Sequence, residues 1–156
     1  MTEKTPKTYE VRAVGYVRRS AAGITLEILE QFRPALANLS HFSHVIVLWW
    51  ADRHDNAAKS RSALQTRPPY ARDQVMGIFA TRAEYRPNPI GLTTCPLLAV
   101  DEANRSVRVA DIDALDGTPV LDLKAYFPVC DRVRKAHIPA WLSDWPQWLP
   151  DDGLGL

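Results

Sequence analysis

One run of seven residues, His44-Val-Ile-Val-Leu-Trp-Trp50, constrains the fold more than any other stretch of the chain. A strand sends successive side chains to opposite faces, and after His44 both sets are apolar. Such a strand cannot leave one face in water. It is expected at the centre of a sheet or inside a closed one. The apolar run Val45 to Ala51 is far too short to cross a bilayer as a helix.

The surrounding sequence supplies partners for it. Tyr9 to Val17 alternates as Tyr9, Val11, Ala13, Gly15, Val17, the period of a half-buried strand. Gly23 precedes Ile24, Leu26 and Ile28, a second strand by the same argument. Pro34 is placed to open a short helix at its first position. Residues 51 to 74 are polar, contain Pro68-Pro69 and read as a long loop. Val75 to Thr81 is a further strand candidate. Leu92 to Val100 is another, in which Pro96 requires an edge or a bulge. Val107 to Asp111 and Val120 to Phe127 flank Asp116-Gly117, a turn signal that makes them candidate hairpin partners. Six or seven strands with little helix define the expected class: mainly β, a mostly antiparallel, barrel-like sheet with short helices.

At 156 residues, 46% hydrophobic and 24% charged, the chain fits one domain with a core. Residues 1–8 read as a loose tail, 9–137 as the barrel domain, and 138–156 as a Trp-rich segment packing on the barrel or on a dimer partner. Trp141, Trp145 and Trp148 lie three or four apart, a helical stripe that Pro146 would interrupt; core packing is the default for such a stripe. The net charge of +1 excludes a strongly basic nucleic-acid protein, so any RNA contact must be a local patch. The two cysteines, Cys95 and Cys130, form neither a disulfide framework nor a zinc spacing. His41, His44, Asp52 and His54 invite a metal, but without a Cys or Glu partner at a recognised spacing no metal site is expected. Met1 to Lys7 is polar and lacks an apolar signal core, so a soluble, cytoplasmic protein with no membrane partner is expected.

Two stretches carry potential chemistry. In Gly77 to Leu92, Arg86 and Asn88 each precede a proline and are held extended, while Gly91 permits a positive φ or the close approach of a ligand. A stiff loop bearing Arg82, Arg86 and Asn88 suits a small polar ligand, because rigid placement lowers the entropy cost of binding; a solvated β-connection is the plainer alternative. In Asp111 to Tyr126, Asp111, Asp113, Asp116 and Asp122 fall within twelve residues. These carboxylates can act as bases or cation partners, or Asp113 and Asp116 can simply organise a turn. Neither a Gly-x-Ser-x-Gly elbow nor a Gly-x-Gly-x-x-Gly loop occurs, so the usual nucleotide fold has no support.

Three segments, His41-Phe-Ser-His44, Phe79-Ala-Thr-Arg-Ala-Glu-Tyr-Arg-Pro-Asn-Pro-Ile-Gly91, and Leu115-Asp-Gly-Thr-Pro-Val120 with Asp122-Leu-Lys-Ala-Tyr126, together resemble the TsaA-like family over residues 9 to 130. The resemblance implies a single-sheet antiparallel β-barrel methyltransferase using S-adenosylmethionine, usually a homodimer, of the class that includes the tRNA threonylcarbamoyladenosine methyltransferase. It implies that Arg82 contacts the donor and that Leu92 with residues Asp113, Leu115 and Asp116 holds its adenosine. Asp52-Arg53 stands where the family has a His-Gln pair beside the donor, and Ser20 to Gly23 has no counterpart of its Pro-Arg-Gln tripeptide. Arg86, Asn88 and Tyr85 are implied to shape the pocket or meet the substrate, with Arg53 another possible base contact and Lys59, Arg67 and Arg72 available to phosphates. Asp113, Asp116, Tyr126 or a water are candidates to take the proton released on N-methylation. The alternatives are a small-molecule or protein acceptor, or a non-catalytic donor sensor.

Overall fold

The computed structural model describes residues 5–55 and 58–152. Six strands close into a barrel in the order β1-β2-β7-β6-β3-β8. They are β1 (Gly15–Ser20), β2 (Gly23–Ile28), β3 (His44–Trp50), β6 (Ile90–Asp101), β7 (Ser106–Val109) and β8 (Pro119–Ala125). Every pairing is antiparallel. Two two-residue strands, β4 (Gln65–Thr66) and β5 (Met76–Gly77), form a separate ribbon.

The apolar run His44–Trp50 is β3, paired along its whole length with β6 on one side and from Val45 to Trp49 with β8 on the other. Val45, Val47 and Trp49 point into the barrel and are buried, while Ile46, Leu48 and Trp50 are half-buried on the other face. Val17, Leu26, Cys95, Val107, Val109 and Val120 belong to the same core, and Ile28, Leu36, Leu39, Ala51, Ile112 and Ala114 complete it. Alternate inward positions on six strands fill the lumen, so the barrel is a packed body.

Several expectations are corrected. The first strand begins at Gly15, not Tyr9; Tyr9 and Val11 are exposed and have no ladder partner. Pro34 lies inside a 3-10 helix, Glu30–Leu36, instead of opening one. Val75 to Thr81 is strand only at Met76–Gly77, followed by a 3-10 turn, Ile78–Ala80. The loop 51–74 holds one-turn elements at Asp52–His54, Ala58–Arg61 and Pro69–Ala71. β7 and β8 are not hairpin partners: β7 lies between β2 and β6, β8 between β1 and β3. The Asp116-Gly117 turn is real, with Thr118 N–H bonded to Leu115 C=O at 3.2 Å and Gly117 at φ 81°. That turn folds the connection back onto β1, where Gly117 N–H reaches Val17 C=O at 2.8 Å. Glycine tolerates this positive φ without the Cβ clash other residues incur.

Pro96 meets its expected constraint in a specific way. β6 leaves β3 and joins β7 there, with a register shift between Leu97 and Ala99, and the proline sits where one ladder ends and the other begins. The Trp stripe forms no long helix. One 3-10 turn, Ala140–Leu142, is present, and Trp141, Trp145 and Trp148 are 52%, 50% and 71% exposed. Pro139, Pro146 and Pro150 leave too short an uninterrupted run for a helix to propagate. Trp145 contacts Tyr70 edge-to-face at 5.2 Å, so the segment touches the loop region instead of entering the core. Among the described residues no helix is long and apolar enough to cross a membrane.

Candidate functional site

Antiparallel order sends the ends of β1 and β3 and the starts of β6 and β8 to the same mouth of the barrel. The loops at that mouth are therefore Ser20–Gly23, 51–89 and 110–118, the last two of which contain the arginine-proline motif and the Asp-rich motif. Their convergence follows from strand register.

The mouth is held by contacts from opposite ends of the sequence. Arg19, at the end of β1, donates from Nε to Ala114 C=O at 2.9 Å and from its terminal nitrogen to Ile112 C=O. Its own N–H donates to Asp116 Oδ1 at 2.8 Å. One arginine thus fixes three positions of the 112–116 segment, using a planar fork of donors suited to two carbonyls at once. Across the mouth, Trp49 Nε1 donates to Thr93 Oγ1 at 3.1 Å, and the Thr93 hydroxyl donates to Asp113 Oδ1. Asp113 is therefore aimed by a relay from the core of β3 through β6.

Arg82 donates to Leu92 C=O at 3.3 Å, tying the start of the motif loop to β6. A guanidinium carries five donors, so this tether leaves capacity to grip a carboxylate. Leu92 and Leu115 are both exposed. Asp52, Arg53, His54, Glu84, Leu115 and Thr118 border one small cleft with Trp49 at its base. Asp52, Arg53, Leu115 and the motif loop are thus brought together, with Arg82, Leu92, Asp113 and Asp116 around them on the same mouth.

Other expected site residues have different duties. Arg86 donates to Thr81 and Ala83 carbonyls at 3.2 Å each, closing its own loop. The Tyr85 hydroxyl bonds Thr66 Oγ1 at 2.9 Å, pinning the loop to β4. Asn88 is exposed, and its C=O accepts from Ile90 N–H at 2.7 Å at the entry to β6. Gly91 has no positive φ; the group that approaches it is the Trp49 ring, not a ligand. Tyr126 is a correction. It follows β8 at the opposite end of the barrel, where its N–H bonds His44 C=O at 3.2 Å and its ring lies 6.0 Å from that of His44. Asp113 is bonded to Thr93, opposite Val47, so about three strand residues at roughly 3.3 Å each separate its level from that of His44, and the Tyr126 ring lies against His44 instead of against Asp113. His44 itself is structural, with Nδ1 2.9 Å from Ser43 Oγ.

Sequence reading missed Arg19, Thr93, Trp49 and the His54–Glu84 pair, in which Nε2 and Oε2 are 2.9 Å apart. The available signals were weak: a doubled arginine at a strand end, and a histidine next to residues already singled out. Burial pushes the Cys95 thiol up to about 12, aided by Asp113 and Asp111 nearby, so it stays protonated as a core residue. Among the described residues no three His, Cys, Asp or Glu side chains form a metal-binding group. A larger cavity lies at the far end, walled by Val14, Ile28, Phe32, Leu36, Phe42 and Leu123; of the Asp-rich stretch it takes in Asp122, Leu123 and Ala125, and it includes no residue of the arginine-proline loop.

Comparison with known proteins identifies relatives of the chain. Residues 12–132 match the model of the tRNA-methyltransferase O N-terminal domain. The chain is 40% identical over 127 residues to a probable S-adenosyl-L-methionine-binding protein of Archaeoglobus fulgidus, covering 81% of this chain and 32% of that protein. It is 37% identical over 148 residues to the putative S-adenosylmethionine-dependent methyltransferase RcsF of Pseudomonas aeruginosa, covering 83% and 62%. The crystal structure of TrmO from Pseudomonas aeruginosa superposes with a TM-score of 0.63 at 32% identity, over 84% of this chain and 62% of that one. The chain thus spans 32% to 62% of the length of these relatives. With the family model covering most of the chain and the barrel matching a solved member, the chain belongs to the tRNA-methyltransferase O N-terminal domain family.

Proposed function

We propose that this chain binds S-adenosylmethionine at the barrel mouth and methylates the exocyclic nitrogen of a threonylcarbamoyl-modified adenosine beside the tRNA anticodon. The observation that carries the reading is the convergence of the Arg82 loop, Leu92 and the Asp113–Asp116 segment at one mouth. The relatives' names as S-adenosyl-L-methionine-binding proteins and methyltransferases support the same donor.

The residues present fit the donor's chemistry. Arg82 offers a guanidinium for its carboxylate. Exposed Leu92 and Leu115 offer apolar surface to its adenine, and the immobilised backbone of 112–116 offers polar partners. Asp113 offers negative charge to a cation. When bound, the donor supplies a methyl group on cationic sulfur as the electrophile. The protein's part is to hold the acceptor nitrogen in line, exclude water and receive the proton. An anticodon-loop base is single-stranded and can be splayed into such a mouth. Lys59, Arg67 and Arg72, all exposed on the 51–89 loop, are the proposed phosphate contacts. tRNA and a second copy of the chain are the proposed partners.

One observation favours a second reading, a donor sensor without turnover. β1 and β2 are joined by Ala21-Ala22 alone, from Ser20 to Gly23, which leaves no segment there to reach a donor. Calorimetric titration of S-adenosylmethionine decides the donor: binding is expected, weakened at least about tenfold by Arg82→Ala. Absence of binding to the parent ends the proposal, and equal binding by the variant removes Arg82 from the site. Labelled donor with fractionated cell extract then separates the acceptors. Label in tRNA supports the stated activity, label in small molecules or protein redirects it, and no label leaves the sensor.

A further inference from the structure

Two titratable side chains face each other at the mouth without contributing to any strand. His54 Nε2 is 2.9 Å from Glu84 Oε2, and each side chain is just over one-third exposed. Their loops are set independently. His54 closes the Asp52–His54 turn through its N–H to Ala51 C=O at 2.9 Å. Glu84 follows two carbonyls, Thr81 and Ala83, that Arg86 clasps. Tyr85, fixed by Thr66, places its ring 6.3 Å from the imidazole. Both His54 and Glu84 border the cleft that Leu115 and Thr118 share.

Resting on the methyl-transfer reading above, we infer that His54 is the proton acceptor of the reaction and Glu84 its positioning residue. An ionised carboxylate has no proton to donate, so the neutral imidazole must give its Nε2–H to Glu84. Nδ1 then carries the lone pair, and the tautomer of the base is set by its partner. A nitrogen attached to an aromatic ring and a carbonyl is a weak nucleophile while it keeps its hydrogen, so proton removal during attack matters here. The step balances. The acceptor nitrogen forms its bond to the methyl carbon and keeps the electrons of its N–H bond. The proton passes to His54 Nδ1, and sulfur keeps the electrons of the methyl–sulfur bond. The resulting imidazolium lies against the Glu84 carboxylate, which stabilises it. The other charges near the ring are Asp52 and Arg53 on its own turn and Asp55 beside it, whose carboxylate accepts from Trp50 Nε1 at 2.6 Å. Asp113 and Asp116 already accept from Thr93 and Arg19 as parts of the scaffold.

Two measurements test this, one without turnover. Long-range proton–nitrogen NMR of histidine-labelled protein, with His54→Gln assigning the signal, should give His54 as the Nε2–H tautomer, and Glu84→Gln should reduce that preference. An Nδ1–H tautomer in the parent overturns the proposal. Methyl transfer from labelled donor to tRNA is then followed across about pH 5.5 to 9. His54→Gln should lower kcat about 100-fold and abolish the acid limb of the profile while donor affinity stays within about twofold. Glu84→Gln should lower kcat about tenfold and retain the limb. Parent-like kcat and acid limb in His54→Gln overturn the inference alone. A parent that methylates no acceptor overturns the catalytic reading, and this inference with it.

Discussion

Replacing Gly91 by alanine should unseat the relay that aims Asp113. Gly91 lies directly opposite Trp49 in the β3–β6 ladder, and the indole lies over it. A Cβ at this position would fall 2.1, 2.3 and 2.4 Å from Trp49 Cε2, Cζ2 and Cδ2. Carbon atoms rest about 3.5–4 Å apart, so the ring must retreat by more than an ångström or the strands must part. Trp49 is only 3% exposed and packs into the barrel, so retreat means overpacking elsewhere, at about 1–3 kcal/mol. Movement also breaks the Nε1 bond to Thr93, worth about 1 kcal/mol. The expected loss is about 2–4 kcal/mol, or roughly 5–15 °C in Tm for a chain of this size. Urea unfolding followed by circular dichroism and indole fluorescence reads it. Gly77→Ala is the control: at φ −60° with nothing within 4 Å of its Cβ, it should change stability by no more than a few tenths of a kcal/mol, in either direction. Donor affinity should fall in Gly91→Ala alone. Equal stability of the two variants would refute the argument that the indole dictates glycine at position 91.

Two further outcomes follow from the same geometry. Arg19→Ala strips donors from the carbonyls of buried Ile112 and Ala114, so it should cost about 2–4 kcal/mol in a urea titration and weaken donor binding; Arg19→Lys, with no planar fork, should recover only part of either. Cys95 should resist a thiol reagent that labels exposed Cys130 at once, and its raised pKa makes stability pH-dependent. Because the folded state keeps the proton that the unfolded thiol loses near 9, the stabilisation is complete below pH 9 and declines until about pH 12. Cys95→Ala should flatten that alkaline decline in melts run from pH 8 upward, even though the variant starts less stable.

What could be read in advance follows from how far apart the determining residues are. β2 was legible because alternation over six neighbouring residues decides a strand without outside help, and β3 because a short run apolar on both faces does. Tyr9 to Ala13 alternates just as well, yet β8 pairs with β1 only at Gly15 and Tyr16, and a strand pattern without a ladder partner does not become a strand. The Asp-Gly turn was legible as a turn. Its partners were not, since Gly117 reaches back to Val17, one hundred residues away. Local chemistry likewise marks a residue type but not its duty.

That distinction decides how the mouth should be read. Arg86, Tyr85 and Asp116, picked out by sequence as site residues, all satisfy backbone or hydroxyl partners in their own surroundings. They stiffen the loops. Arg19, Trp49 and Thr93, which no local pattern marked, do the same from across the barrel. A barrel closed by antiparallel pairing has to work this way: it gathers the ends of some strands and the starts of their neighbours at one rim, so the partners of a rim loop come from remote sequence. Loops cross-braced from both sides present their remaining polar groups in fixed positions, and fixed positions are what alignment of a methyl carbon with an attacking nitrogen requires. His54 and Glu84, whose side chains bond to each other at the edge of the cleft and not to a backbone group, are therefore where proton transfer should be sought first. The rigid groups around them set its geometry.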